Sequence, residues 1–273
     1  MTNIPITYQS THLQTTAQTL ASKWKYQLLS PQQIEELCPP FYLQLTVPHL
    51  QLVEFNGKSN PLFIDFNAGN YRHRRLFGGG KNQLIARAMG INKGFSPHIY
   101  DATAGLARDA FVLAGLGCKI TMIERTNILA GLLQDALQKA LTVPEVKTIC
   151  ANMDLIHADS IEYFTHFIKN NSNQKIPDII YLDPMYPDKK GSALVKKEMQ
   201  FLQQTVGKDH DASNLLEASI NLAKYRVVVK RPKSSDYLGH IKPQLQLLEK
   251  KQRLDIYIIQ KLPSIDRKSN RRT

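Results

Sequence analysis

Acidic residues recur where short apolar runs of the sequence end. Asp101, Glu124 and Asp183 each close such a run, and Asp159 lies two residues past another. A single carboxylate in this position often caps a helix or a turn. In a parallel sheet, however, the carboxyl ends of the strands share one edge, and ligands bind there. Four acids at one edge therefore predict a binding site, with helix capping as the alternative for each acid taken alone.

The turn after the first of these runs, residues 101–109 (DATAGLARD), favours a nucleoside ligand without a diphosphate. It has neither the G-x-G-x-x-G fingerprint nor the Gly-Lys-Ser/Thr ending of a phosphate-binding loop. Gly105 still lets the backbone approach a ligand closely. Glu124 follows Asp101 by 23 residues, the spacing at which an acid binds both ribose hydroxyls. These features predict S-adenosylmethionine as the cofactor.

The segment 183–187 (DPMYP) is the most informative motif. Its two prolines stiffen the turn, and Pro184 has no N–H, so the carbonyls of the turn remain acceptors. Asp183 and these carbonyls are suited to hold an exocyclic amine with its lone pair directed at a methyl sulfonium. Tyr186 is placed to stack on an extruded base. The alternative is a rigid proline turn with a half-buried tyrosine.

Predicted strands and helices alternate from residue 97 onward. The strands are expected at residues 98–101, 119–124, 153–157, 178–183, 226–230 and 253–260. Alternation with helices of about 10–15 residues predicts an α/β fold with a doubly wound, Rossmann-like parallel sheet. The last two strands are expected to form an antiparallel edge.

The first part of the chain has a different pattern. Short β-like runs over residues 1–65 predict a small, partly antiparallel sheet, with Asn56-Gly57 as the best hairpin turn. Residues 67–81 (NAGNYRHRRLFGGGK) are basic and rich in glycine, which favours a loop. We therefore expect a small N-terminal α+β domain with a basic loop over residues 1–80, and the larger α/β domain over residues 81–273.

Composition narrows the class of protein. Three widely spaced cysteines argue against a disulfide framework, and the sequence has no pattern of zinc ligands. No signal peptide is recognisable, and no apolar run approaches the ~20 residues of a membrane span, so a soluble cytoplasmic protein is expected. A net charge of +12, from 35 basic and 23 acidic residues, favours a polyanionic partner.

Several blocks of the sequence together resemble one known family. DPMY is similar to the [DNS]-P-P-[YFW] motif of amino-group methyltransferases, with Met185 in place of the second proline. With DATAGLARDAF, the Glu124-Arg125 pair, SALVKKEM and VVVKRP, it resembles the bacterial 16S rRNA guanine-N2 methyltransferase J family over residues 72–257. The resemblance implies an S-adenosylmethionine-dependent methyltransferase that modifies guanine N2 near the 3′ end of 16S rRNA. Its implied partner is 16S rRNA or the 30S subunit, with no metal and no membrane.

The resemblance also implies roles for individual residues. The chain departs from the family at two of the positions concerned: it has HADS, with Asp159, where the family has HASS, and Ala107 replaces a glycine frequent in relatives. Catalysis is assigned to Asp183, Pro184 and Tyr186. The resemblance assigns cofactor contacts to Arg108, Asp109, Glu124, Arg125, Asp159, Ser160 and Asp183, and the strand-end pattern adds Asp101 and Gly105.

Basic residues near the strand ends and in the glycine-rich segment are expected to contact RNA phosphates, which position a substrate without specifying its sequence. These residues are Arg72, Arg74, Arg75, Lys189, Lys190, Lys230 and Arg231. Two alternatives remain at this stage. The acceptor could be an adenine or a glutamine amide, since related motifs serve both, or the chain could be a non-catalytic RNA-binding factor on the same fold.

Overall fold

A computed structural model describes residues 4–57, 59–78, 80–91, 95–170, 175–184 and 211–263. Within these ranges, none of the helices is both long and apolar enough to cross a membrane. The helices are α1 (Gln14–Trp24), α2 (Pro31–Leu37), α3 (Gly69–Phe77), α4 (Leu84–Ala88), α5 (Arg108–Gly115), α6 (Asn127–Ala140), α7 (Pro144–Cys150), α8 (Ser160–Lys169) and α9 (Ala212–Leu222). The strands are β1 (Ile6–Tyr8), β2 (Phe41–Leu45), β3 (Leu50–Glu54), β4 (His98–Asp101), β5 (Lys119–Glu124), β6 (Met153–His157), β7 (Ile179–Leu182), β8 (Arg226–Pro232), β9 (Leu245–Leu248) and β10 (Gln252–Ile258).

Seven strands form the main sheet, in the order β6-β5-β4-β7-β8-β10-β9. Strands β4 to β8 are parallel, whereas β10 is antiparallel to both β8 and β9. The chain builds outward from β4 to β6 and then crosses back to β7, which is the reversal of a doubly wound sheet. The predicted fold class and the antiparallel pairing of the late strands are confirmed. Strand β9 was not predicted, because its sequence LQLL has no β-branched or aromatic residue.

Helices cover both faces of this sheet. Along β7, Ile179 and Tyr181 enter the core that includes Phe111 of α5, whereas Ile180 and Leu182 enter the core that includes α8 and α9. Successive side chains of a strand point to opposite faces. Strands buried on both faces consist of continuous apolar runs, which is why the sequence pattern located them.

A three-stranded sheet in the order β1-β2-β3 lies in the N-terminal part, as predicted. Strand β1 is parallel to β2, and β3 is antiparallel to β2. The turn that joins β2 and β3 spans residues 46–49, where the hydroxyl of Thr46 donates to the carbonyl of His49 at 2.8 Å. The predicted turn at Asn56-Gly57 follows β3, and beyond it Leu62 pairs with Leu52 in an antiparallel bridge, with backbone hydrogen bonds of 2.8 and 2.9 Å. The chain therefore turns back where the sequence predicted, although the pairing is limited to this one bridge.

The buried core continues across the predicted domain boundary at residue 80. Ile6 and Leu43 of the small sheet belong to the same apolar cluster as Ile120 of the main sheet. The hydroxyl of Tyr26 donates to the carbonyl of Asn127, at the start of α6, at 2.6 Å. The division into residues 1–80 and 81–273 stays a prediction, and the two parts share one core.

The segment expected to be a basic loop instead forms helix α3, which corrects that prediction. Tyr71 anchors the helix because its ring lies 5.2 Å from Phe66 and 5.7 Å from Phe111, between ring centroids. Its hydroxyl donates to the carbonyl of Leu106 at 2.5 Å. These partners are distant in sequence, so the local pattern does not show them. The glycine content therefore led to the prediction of a loop where a helix forms.

A buried ion pair on β10 fastens the turn that follows β8. Arg253 Nε donates to Asp255 Oδ1 at 2.9 Å, and the two side chains are 6% and 0% exposed. Arg253 Nη1 also donates to the carbonyls of Lys233 and Ser235, at 2.8 and 2.7 Å. One guanidinium thus joins β10 to the turn that follows β8.

We expect Arg253→Met to lower the free energy of unfolding by about 3–5 kcal/mol, because it leaves the Asp255 carboxylate buried without its cation. Urea denaturation followed by circular dichroism measures this change. The matched control is Lys119→Met, whose ion pair with Asp154 at 3.5 Å lies on the surface and should contribute less than about 1 kcal/mol. Equal effects of the two substitutions would contradict the assigned role of Arg253.

Candidate cofactor and acceptor site

The loops after β4 and β7 meet at the carboxyl edge of the sheet. Asp101 is the last residue of β4 and is buried, and its Oδ1 accepts from the backbone N–H of Thr103 at 3.2 Å. The backbone N–H of Asp183, directly after β7, donates to Thr103 Oγ1 at 2.6 Å. Thr103 therefore joins the two strand ends between which the strand order reverses, where ligands of such sheets bind.

Glu124, at the end of β5, faces the turn that contains Gly105. Its Oε2 accepts from the backbone N–H of Gly105 at 3.0 Å. Its Oε1 accepts from both the backbone N–H and the hydroxyl of Thr126, each at 2.8 Å. Gly105 has a φ of +53°, which glycine adopts without strain. The carboxylate thus holds the turn against the end of β5.

Asp109, in the first turn of α5, is the centre of a cluster of ion pairs. Its Oδ1 pairs with Arg74 Nη2 at 2.8 Å, and its Oδ2 pairs with Lys230 Nζ at 2.9 Å. The hydroxyl of Tyr181 donates to Oδ2 at 2.7 Å. Burial raises the pKa of Asp109, but Lys230 and Arg74 outweigh it and hold the pKa well below its usual range. Asp109 is therefore a carboxylate at any physiological pH.

Lys230 reaches Asp183 as well as Asp109. Its Nζ lies 2.7 Å from Asp183 Oδ2, and the Asp183 side chain keeps 40% of its surface exposed. Loss of hydration by the surrounding protein raises the pKa of Asp183. Lys230 lowers that pKa, whereas Asp109 raises it. Burial lowers the pKa of Lys230, but the two carboxylates outweigh it and raise that pKa. One ammonium group is thus shared by two carboxylates, one of which opens toward the solvent.

The buried carboxyl of Asp101 lies within electrostatic reach of this cluster. Burial, together with the neighbouring Asp109, Asp183 and Glu124, raises its pKa to about 8, against the hydrogen bond from Thr103. Several acids held this close together in a cleft are typical of functional sites. The edge of the sheet therefore favours a ligand that carries positive charge or hydrogen-bond donors.

The residues of this cleft fit S-adenosylmethionine. Its sulfonium, ammonium, ribose hydroxyls and adenine amine are cations or donors, and the oxygens of the Glu124 carboxylate and of the Asp101 carboxyl group are acceptors. A side chain at Gly105 would enter open space, since an added Cβ meets only the Thr103 carbonyl oxygen, at 3.8 Å. The acceptors and the open turn agree with the cofactor that the sequence predicted.

Other residues predicted to touch the cofactor support the scaffold of the site. Asp159 caps α8, since its Oδ1 accepts from the backbone N–H of Ile161 and Glu162 at 2.9 and 3.1 Å. The buried hydroxyl of Ser160 donates to the carbonyl of Ala102 at 2.7 Å. The capping alternative therefore describes the observed contacts of Asp159, while a role in cofactor binding stays a prediction.

Arg125 and Arg108, which were predicted to contact the cofactor, also make hydrogen bonds within the protein. Arg125 Nη1 donates to both carboxylate oxygens of Asp211, at 3.2 and 3.0 Å. The carbonyl of Arg108 accepts from Arg74 Nη1 at 3.1 Å. Arg125 thereby links the end of β5 to the start of α9.

The residues predicted to contact RNA are divided by the structure. Arg72 is exposed. Arg74 faces Asp109, and Arg75 donates to the carbonyl of Glu145 at 3.1 Å. Tyr186, Lys189 and Lys190 lie outside the described residues.

Arg231 requires a correction. It is 4% exposed, and its Nη2 donates to the carbonyl of Asp236 at 2.9 Å. Neighbouring residues of a strand point to opposite faces, so Lys230 reaches the site while Arg231 enters the interior. This placement leaves Arg231 almost no surface to offer to a phosphate.

Three residues of the site were not recognised from the sequence: Thr103, Tyr181 and, as a partner of carboxylates, Lys230. The sequence contained a signal for Tyr181, whereas the place of Lys230 depends on the pairing of β7 with β8. Tyr181 precedes Asp183 by two residues, which places it on the same face of β7. Leu182 of β7 pairs with Val229 of β8, so Lys230 follows directly beside Asp183. Among the described residues, no group of three or more histidines, cysteines or acids is arranged to hold a metal ion.

Comparison with known proteins identifies the family of this chain. Residues 20–259 match the family model described as "Putative SAM-dependent methyltransferase". The chain is 44% identical over 266 residues to the ribosomal RNA small subunit methyltransferase J of Colwellia psychrerythraea, covering 96% of this chain and 95% of that protein. It is 48% identical over 223 residues to the protein of the same name from Vibrio parahaemolyticus, covering 80% and 86%.

A solved structure agrees with this result. The crystal structure of a SAM-dependent methyltransferase from Neisseria gonorrhoeae superposes with a TM-score of 0.71 at 33% identity, covering 93% of this chain and 95% of that one. The chain belongs to the ribosomal RNA small subunit methyltransferase J family of S-adenosylmethionine-dependent methyltransferases.

Proposed function

We propose that this protein methylates the exocyclic N2 amine of a guanosine in the 16S rRNA of the small ribosomal subunit. The observation that carries the proposal is the Asp183 carboxylate, which follows β7, opens to the solvent and is held by Lys230 beside the acid-lined cleft. The names of the curated relatives support ribosomal RNA of the small subunit as the substrate class. The net charge of +12 supports a polyanionic substrate.

The cofactor side of the site is assigned to the loops after β4 and β5. Glu124, which Gly105 and Thr126 hold in place, is assigned to accept the hydroxyls of a ribose. Asp101 accepts from donor groups deeper in the cleft. When bound, S-adenosylmethionine supplies a methyl group as an electrophile.

The acceptor side is assigned to Asp183 and Pro184. The lone pair of guanine N2 is delocalised into the ring, which makes the amine a poor nucleophile. Asp183 and the Pro184 carbonyl accept hydrogen bonds from its two N–H groups. These bonds turn the lone pair out of the plane of the ring. Holding the amine in this orientation supplies much of the rate enhancement, as for other reactions that depend on proximity. Tyr186 is proposed to stack on the extruded base.

Lys230 is assigned here as a positioning residue. Its ammonium lies 2.7 Å from Asp183 Oδ2 and 2.9 Å from Asp109 Oδ2. It fixes the direction of the Asp183 carboxyl group and lowers its pKa, against burial and Asp109, which raise it. This role replaces the predicted contact of Lys230 with an RNA phosphate.

Methyl transfer from labelled S-adenosylmethionine to unmodified 30S subunits, naked 16S rRNA and 50S subunits tests the function. We expect label in small-subunit RNA only, recovered as N2-methylguanosine by nucleoside mass spectrometry. Label in an adenosine or in a ribosomal protein would instead assign a different acceptor. Binding of the cofactor without transfer to any of the three substrates would refute the proposed substrate.

We expect Asp183→Ala to lower kcat at least about 100-fold, because it removes the acceptor that orients the amine. The affinity for S-adenosylmethionine, measured by calorimetry, should fall far less. Circular dichroism and the melting temperature establish that the variant is folded. Substantial transfer by a folded Asp183→Ala protein would contradict the proposed role.

We expect Lys230→Met to move the acid limb of the pH–kcat profile toward higher pH. Removing the ammonium raises the pKa of Asp183, so the active carboxylate is lost at a higher pH as the solution is acidified. Lys230→Arg should restore the profile in part. The control Lys119→Met, at the amino end of β5, should leave the profile unchanged. A raised KM for RNA with an unshifted profile would instead support the phosphate contact.

A further inference from the structure

Helix α3 has two chemically different faces. Residues of an α-helix are separated by 100°, which places Tyr71, Arg74 and Arg75 on one side. All three are engaged with the protein: Tyr71 with Leu106, Arg74 with Asp109, and Arg75 with the Glu145 carbonyl. The side opposite them carries Arg72, His73, Leu76 and Phe77.

This outward face combines a cation with exposed aromatic and apolar surface. Phe77 is 72% exposed and Leu76 is 52% exposed. The rings of His73 and Phe77 lie one helical turn apart, with 5.3 Å between their centroids. Arg72 is exposed beside them, and Lys81 is exposed shortly after the helix. Aromatic side chains with neighbouring cations are typical of surfaces that bind single-stranded nucleic acid.

Helix α3 borders the proposed acceptor site through its inward side. Arg74, on the same helix, lies 2.8 Å from Asp109, and Asp109 shares Lys230 with Asp183. Phe77 follows Arg74 by three residues, which is about 4.5 Å along the helix axis. A strand whose base enters the site therefore passes close to this helix.

We propose that the outward face of α3, formed by Arg72, His73, Leu76 and Phe77, binds unpaired nucleotides next to the modified base. His73 and Phe77 stack on a base, Leu76 packs at its edge, and Arg72 pairs with a phosphate. The proposal rests on the proposed function for the identity of the RNA. The exposed cations and the net charge of +12 favour RNA over a second copy of this chain, which would bring like charges together.

Direct binding of a fluorescein-labelled 12-nucleotide oligouridine, measured by anisotropy with the full chain, tests the proposal without methyl transfer. We expect Phe77→Ala to weaken binding about 10-fold, since one stacked base is lost, and Phe77→Tyr to restore it. The matched control is Phe63→Ala, because Phe63 is also partly exposed and stacks on a histidine, His49, at 4.7 Å. The control should bind like the unmodified chain.

The roles of the ring and the cation are separated by salt. Arg72→Ala should reduce the slope of log K against log salt by about 0.7, as expected for one phosphate contact on a single strand. Phe77→Ala should leave that slope unchanged. S-adenosylmethionine affinity should be the same in all these variants.

Two results would overturn the proposal. One is oligouridine binding by Phe77→Ala equal to that of the unmodified chain. The other is a dimer of the unmodified chain in sedimentation that Phe77→Ala dissociates, which would make this face a contact between copies. Failure of the proposed function is a separate result, since it appears as absent transfer to 30S subunits by the unmodified chain.

Discussion

The ammonium of Lys230 is the interaction on which the arrangement of the site depends. Asp109, in the first turn of α5, and Asp183, directly after β7, are two carboxylates that would repel each other at this distance. Lys230 lies within 2.9 Å of an oxygen of each, so that α5, the end of β7 and β8 are drawn to one point. Arg74 extends the cluster to α3. The same contacts that assemble the edge of the sheet thus also shift the pKa values of its acids.

Much of this arrangement follows from the sequence because parallel strands have a common edge. Apolar runs buried on both faces are easy to recognise, and the residue that ends each run must lie at that edge. Asp101, Glu124 and Asp183 were predicted to converge for this reason. The structure places all three beside the loops after β4, β5 and β7.

The direction of individual side chains did not follow from the sequence. Lys230 and Arg231 are adjacent and equally basic, and only the pairing of β8 with β7 determines which one faces Asp183. The structure of residues 69–77 depends on Tyr71 reaching Leu106, a contact between distant residues that no local pattern contains. Periodicity locates an element, but long-range partners determine what its polar residues do.

The order of the strands has a consequence for how the protein is made. Strand β10 lies between β8 and β9, although it follows both in the chain. During synthesis, β8 therefore has a partner on only one side until residues 252–258 have left the ribosome. Arg253, which holds the turn after β8, emerges with the same segment. Until then the nascent chain presents an open, apolar sheet edge of the kind that pairs with other chains, and the strand that carries Lys230 lacks its second neighbour until β10 has emerged.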